Sequence, residues 1–192
     1  MIITIYNFKG GVGKTSIALN FALTAEYGII TNDVYSPLES VLSEKQYIKV
    51  EPDEDFPDIP KKLNIIYDLG GHIDKRAIKI IKKSDYILIP TLSDFLSLKV
   101  TINAILEIEI YNNKIIIIGN GTHKSEIKHI KKVIRDCKFN YPLFELKKSK
   151  AFINIFREQK SIGKMTKEGG LKAYHYKVIN EQFDKLIKYI EE

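Results

Sequence analysis

The chain alternates short apolar runs with longer stretches in which apolar residues recur every three or four positions. Ile2 to Tyr6 is the first such run, and it leads straight into a glycine-rich turn. Beyond the turn, Ile17, Leu19, Phe21, Ala22 and Ala25 give the wide apolar surface of a buried helix, which Gly28 is expected to end. Ile29-Ile30-Thr31, Leu63 to Tyr67, Tyr86 to Ile89 and Lys114 to Ile118 read as further buried strands, with a short strand near Pro142 to Phe144. Helices are expected over roughly Asp74 to Lys83, Asp94 to Ile110 and Lys124 to Lys138. A last helix sets Ile179, Phe183, Leu186, Ile187 and Ile190 on one face. Glu51 to Pro60 (EPDEDFPDIP) is acidic and proline-rich, hence a surface loop. Strands alternating with helices predict an α/β domain with a mostly parallel central sheet flanked by helices on both faces. No repeat or linker divides the 192 residues, so 1–192 reads as a single domain.

Composition narrows this picture only a little. Hydrophobic residues at 44% and charged residues at 28% are ordinary for a globular chain and exclude disorder, collagen and coiled coil. The longest unbroken aliphatic run, Ile115 to Ile118, is far short of the roughly 20 residues a membrane span needs. The N-terminus lacks a basic n-region and a cleavage site, so a cytoplasmic protein is expected. Cys137 is the sole cysteine, and with four scattered histidines it makes no metal cluster.

Charge changes the picture more. The formal net charge is +6, and 27 of the 30 basic residues are lysine beside 33 isoleucines, a pairing that AT-rich codons produce unaided. The distribution is less easily explained that way: residues 1–118 carry 13 basic and 15 acidic side chains (−2), and residues 119–192 carry 17 and 9 (+8).

Between the first strand and first helix lies Asn7-Phe8-Lys9-Gly10-Gly11-Val12-Gly13-Lys14-Thr15-Ser16. Such a loop points successive backbone N–H groups inward, and the helix behind it adds its positive dipole end. Gly10, Gly11 and Gly13 let the backbone approach phosphate oxygens closely. Lys14 is placed to reach the β- and γ-phosphates, Thr15 to ligate Mg²⁺ and Ser16 to meet the α-phosphate. The general GxxxxGK[ST] pattern wants glycine where this chain has Phe8.

KGGVGKT (Lys9 to Thr15) resembles the deviant Walker A motif of the ParA/MinD family of dimeric ATPases, within the P-loop NTPase fold. The resemblance implies ATP/ADP and Mg²⁺ as cofactors, with Val12 among the nucleotide-contacting loop residues. It also implies a homodimer that sandwiches two nucleotides, in which Lys9 crosses to the partner's nucleotide. Ile30-Thr31-Asn32-Asp33 resembles the family's second aspartate-bearing strand, with Thr31 replacing the first aspartate. Asp33 thereby inherits a place near the metal and the attacking water, although Asn-Asp after a strand is also an ordinary turn. Ile65 to Gly71 resembles the Walker B strand, with Asp68 holding Mg²⁺ through water and Gly70-Gly71 where the family more often has prolines. Leu96, Leu98 and Val100 resemble its interface helix, and Leu146 to Phe152 with Gln159 to Ile162 its late strand-helix region. Asn120 is read either as an adenine contact or as a turn residue between two glycines.

The partners follow from charge and likeness together. Lys147, Lys148, Lys150, Arg157, Lys160, Lys164, Lys167 and Lys172 crowd into 26 residues. They read as a non-specific DNA surface of the ATP-bound dimer, against the alternative of a solvated lysine face. No sequence-reading motif is visible, and with a first strand at Ile2 the N-terminal DNA-reading extension of larger relatives is not expected. The final helix ends Glu191-Glu192, which opposes an anionic bilayer, so no membrane partner is expected. The leading expectation is a nucleoid-associated partition ATPase working with a centromere-binding, ParB-like partner or adaptor. Positioning of a protein assembly, a scaffold with little hydrolysis and a small-molecule P-loop kinase are the alternatives.

Overall fold

The computed structural model describes residues 1–60, 62–71 and 74–192, and of Lys172 the backbone only. The strands are β1 (Ile2–Ile5), β2 (Gly28–Thr31), β3 (Tyr47–Lys49), β4 (Ile65–Asp68), β5 (Tyr86–Thr91), β6 (Ile115–Thr122) and β7 (Leu143–Lys147). The α-helices are α1 (Lys14–Ala25), α2 (Lys75–Lys83), α3 (Phe95–Ile108), α4 (Lys124–Asp136), α5 (Ala151–Glu158), α6 (Ile162–Lys167) and α7 (Gly170–Glu191). The strands form one sheet in the order β3-β2-β4-β1-β5-β6-β7, and every pairing is parallel rather than mostly so.

The apolar strands are buried on both faces because successive side chains alternate between two cores. Ile116 and Ile118 pack with α1, α5, α6 and α7, whereas Ile115 and Ile117 pack with α2, α3 and α4. The inward stripe expected for α7 is fully realised: Ile179, Phe183, Leu186, Ile187 and Ile190 are all buried. No helix among the described residues is long and apolar enough to cross a membrane.

Several boundaries moved for identifiable reasons. Asp74 and Asp94 are caps rather than helical residues, accepting from Ala77 N at 2.8 Å and Ser97 N at 3.0 Å. Gly28 does not end α1, which stops at Ala25 with Glu26 in the left-handed region; Gly28 instead opens β2. A Cβ on Gly28 would come within 2.8 Å of Ile65 Cδ1, the far end of a flexible side chain that would have to turn aside. The three-residue edge strand β3 had no apolar run to announce it. The β7 strand extends beyond the expected Pro142 to Phe144 segment, to Lys147. Asn120 is not in a turn: β6 continues past Ile118 to Thr122, with a register shift at Asn120 and Gly121 at φ 62. A bulge of this kind re-aims the neighbouring side chain.

Candidate functional site

The carboxyl ends of β1, β2 and β4 meet beside the glycine loop, where a chain reversal in an open parallel sheet leaves a crevice. The cap of α1 is Gly13 itself, at φ 95, with no side-chain hydrogen bond. The first helical N–H groups therefore face the crevice without side-chain partners, the arrangement that binds anions. Gly13 is fixed by more than its φ. A Cβ there would fall 2.1 Å from Asn120 Nδ2, which donates to Val12 O at 2.8 Å. The bulged Asn120 thus braces the loop from behind, and its Oδ1 is buried without a partner among the described residues.

A cavity of about 380 Å³ opens over the loop, lined by Gly10, Gly11, Gly13, Lys14, Thr15 and Ser16 together with Asp33 and Asp68. Residues 13 to 16, Asp33 and Asp68 are far apart in sequence, and β2 and β4 bring them together. Pro37, Leu69 and Phe156 complete the wall. Their apolar character carried no distinguishing signal in the sequence.

Charge in the crevice is poised. Lys14 Nζ donates to the carbonyls of Asn7 at 3.2 Å and Lys9 at 3.4 Å, curling back over its own loop. Burial lowers the Lys14 ammonium below its ordinary value, while Asp68 and then Asp33 pull it back up. Asp68 is 2% exposed, and neither carboxylate oxygen has a hydrogen-bond partner among the described residues. Burial pushes its carboxyl up to about 6, against the lowering pull of the Thr15 hydroxyl and Lys14. The hydroxyl is near enough to act on it but not in the geometry of a formed hydrogen bond. Bare buried acceptors beside a hydroxyl fit a hard divalent cation whose other ligands are water and phosphate oxygens. No three His, Cys, Asp or Glu side chains converge among the described residues, so protein groups alone make no complete cage.

The residues around Asp68 tie the strands together. The buried Thr31 donates its hydroxyl to Asp68 O at 2.7 Å and accepts from Asp33 N at 3.1 Å. Asn32 Oδ1 accepts from Gly70 N at 2.8 Å. Asp33 opens a turn, its Oδ1 accepting from Tyr35 N, and also lines the cavity. Gly71 has a steric reason, since a Cβ there would approach Phe8 O to 2.7 Å. Asn7, which nothing in the sequence singles out, joins its amide to Pro90 O (2.8 Å) and Thr101 Oγ1 (2.9 Å) and so anchors the start of the loop.

Lys9 does not line the cavity. Its Nζ lies 3.9 Å from Asp94 Oδ1 at the start of α3, and the side chain is 30% exposed. On the same helix Phe95 and Leu96 are exposed while Leu98 is buried, so the expected Leu96-Leu98-Val100 set is divided between surface and core.

Of the basic residues expected to form a common surface, Lys148, Lys150, Arg157, Lys164 and Lys167 are exposed, and Lys147 and Lys160 are half-buried. The Lys172 side chain lies outside the described residues. Arg157 pairs with Glu158 at 3.0 Å and Lys160 with Glu168 at 2.6 Å, which reduces the net charge they present. A second cationic face went unread in the sequence: Lys124, Lys128, Lys131, Lys132 and Arg135 are all exposed on α4.

No family model and no curated protein matches this chain by sequence. Solved structures do match it. MinD cell division protein from Aquifex aeolicus superposes with a TM-score of 0.65 at 15% identity, covering 97% of this chain and 96% of the other. A ParA family ATPase from Chlorobium tepidum gives 0.62 at 18% identity, covering 94% and 98%. This chain has the MinD/ParA fold. A Cyanothece McdA variant in complex with ATP matches at 0.63 and 11% identity, covering 97% and 95%. These likenesses span nearly the whole chain and bear out the P-loop NTPase reading of the fold.

Proposed function

We propose that the protein is a small ParA/MinD-type ATPase that dimerises on ATP, binds DNA non-specifically in that state and positions a cargo through a partner protein. The observation that carries this is the crevice itself: an uncapped helix start, Lys14 folded over the loop, and the bare Asp68 carboxylate facing Thr15. Phosphoryl transfer to water needs charge neutralisation and an oriented water more than covalent chemistry. The loop amides, Lys14 and Ser16 bind the phosphates, with Thr15, Asp68 and Asp33 placed to hold Mg²⁺, which neutralises phosphate charge when bound. Asn120 holds the loop in shape from behind, and an adenine contact at Asn120 stays part of this reading. Lys9, directed away from its own cavity, serves the nucleotide of the second protomer.

DNA binding is supported by the exposed cations of α5, α6 and the segment before them, together with the +8 balance of residues 119–192. A plasmid or chromosomal cargo, recruited through a ParB-like adaptor on the nucleoid, is the reading we favour over a protein assembly. The test is size measurement with ATP, ADP or no nucleotide, each with and without random duplex DNA. The expected result is a dimer with ATP only, retained on DNA at low salt and released as salt rises. A monomer under all conditions overturns the reading. In the same assay Asp33→Ala is expected to give a dimer that persists with ATP while turnover falls; wild-type turnover would remove Asp33 from the mechanism.

A specific observation favours a second reading, a scaffold with little hydrolysis. Thr31 is fully buried and its hydroxyl is committed to Asp68 O, so one carboxylate of the family pattern has no substitute there. Phosphate release that stays at background with ATP, DNA and the adaptor all present would select it.

A further inference from the structure

A second cavity, about 340 Å³, lies between α2 and the acidic loop 51–60 and shares no lining residue with the phosphate crevice. Its floor is apolar and aromatic. Phe56 meets Tyr67 edge-on with centroids 5.5 Å apart, and Ile2, Ile59 and Ile80 complete the surface. Arg76 clamps the loop over this floor: its guanidinium pairs with Asp74 at 2.6 Å, donates to the carbonyls of Glu51 and Glu54, and sits 5.9 Å from the Phe56 centroid. The cavity is therefore held open by a hydrogen-bonded strap and an aromatic pair.

Two features of the lining point to a ligand. Tyr67 is 2% exposed and lines the cavity, yet its hydroxyl has no hydrogen-bond partner among the described residues. The hydroxyl opens on the cavity, where a ligand oxygen can meet it in place of solvent. At the α2 rim stand Lys79 and Lys83, four residues apart and exposed, with no ion pair among the described residues. Asp55 and Asp58 stand on the loop side, so the two rims are of opposite sign and an anionic head is directed to α2. A volume of this size, with an apolar floor and a few placed polar groups, matches small-molecule sites of about 300–1,000 Å³.

We propose that this cavity binds a small aromatic carboxylate carrying a hydroxyl or carbonyl oxygen at the end away from the carboxylate. The ring lies against Phe56 and Tyr67, the distal oxygen meets the Tyr67 hydroxyl, and the carboxylate lies between Lys79 and Lys83.

The test uses the full chain and 4-hydroxycinnamate as probe, followed by calorimetry and by amide chemical shifts. Saturable 1:1 binding with a Kd below about 1 mM is expected, with shifts concentrated in 55–59, 67 and 76–83. Cinnamate, which lacks the distal hydroxyl, and Tyr67→Phe are each expected to weaken binding about 3–10-fold, and together little more than either alone. Loss of the charge, by 4-hydroxycinnamyl alcohol or by Lys79→Gln with Lys83→Gln, is expected to cost about 3–10-fold in the same non-additive way. Tyr67→Phe is also expected to melt no lower than the parent, because the hydroxyl it removes has no hydrogen-bond partner among the described residues. Absence of saturation, shifts centred on residues 9–16, or affinity indifferent to both pairs of changes overturns the proposal. So does a Tyr67→Phe protein that melts early, since the hydroxyl would then be structural.

Discussion

Lys9→Ala is expected to reduce ATP hydrolysis by at least about 10²-fold while leaving nucleotide affinity within a few-fold of the parent, as for a charge supplied in trans to developing phosphate charge. The separation of the two effects follows from where the side chain lies. Lys14 folds into the crevice and meets two loop carbonyls, so its loss would remove binding and turnover together. Lys9 contributes only its backbone to that region: its N–H donates to Asn7 Oδ1 at 3.0 Å, and its carbonyl accepts from Lys14. Alanine preserves both contacts. The ammonium itself points to Asp94, a long pair at 3.9 Å between groups 30% and 51% exposed, which is worth too little to hold it there against a phosphate. Equilibrium binding of a fluorescent ATP analogue, measured beside steady-state phosphate release, separates the two quantities. Equal losses in both would place Lys9 on its own nucleotide, and unchanged turnover would remove it from the reaction.

Asp68→Asn is expected to act in opposite directions on stability and on function. The Asp68 carboxyl is raised to about 6 by burial, so the folded chain takes up a proton that the unfolded chain releases near pH 4. Stability contributed at this position is therefore present below about pH 4, is lost as pH rises to about 6, and stays lost above it. A shift of that size corresponds to about 3 kcal/mol. An asparagine amide left partly unpaired returns some of this, so a net gain of roughly 1–2 kcal/mol near pH 7.5 is expected for the nucleotide-free protein. The advantage should vanish by about pH 4, where the parent carboxyl is already protonated. With Mg²⁺ and ATP the order reverses: the parent gains from the charge that the variant lacks, and hydrolysis in the variant falls by at least about 10²-fold. Denaturant melts between pH 4 and 8, with and without Mg²⁺ and ATP, measure all of this. Parallel pH profiles for parent and variant would show that Asp68 is not held at its burial cost in the folded state.

Elements that carry their own periodicity are legible in the order of residue types alone. The strands Ile2 to Tyr6, Tyr86 to Ile89 and Ile115 to Ile118 and the inward stripe of α7 belong to this class, because burial on both faces demands unbroken β-branched runs and burial on one face a helical stripe. Boundaries are less legible where a single residue has two uses. Gly28 looks like a helix stop, yet opens β2 opposite Ile65. Asn120 looks like a turn between glycines, yet sits on a bulge inside β6. The cationic face of α4 is not legible in the sequence because its lysines are spread along an ordinary amphipathic helix, and only their common exposure makes them a surface.

What the sequence determined by itself is the local chemistry. Seven residues from Lys9 to Thr15, set between a strand and a helix, specify a glycine loop with an uncapped helix start, the form that suits an anion, because glycine spacing and a helix start act over one turn of chain. What only the tertiary structure decided is which distant groups share that loop and in what state. The parallel order β2-β4-β1 brings Asp33 and Asp68 to Lys14, burial raises the Asp68 pKa with no hydrogen-bond partner among the described residues to offset it, and the β6 bulge sends Asn120 against Gly13. Desolvation and long-range pairing depend on what the folded chain excludes from water, and no local window of sequence contains that.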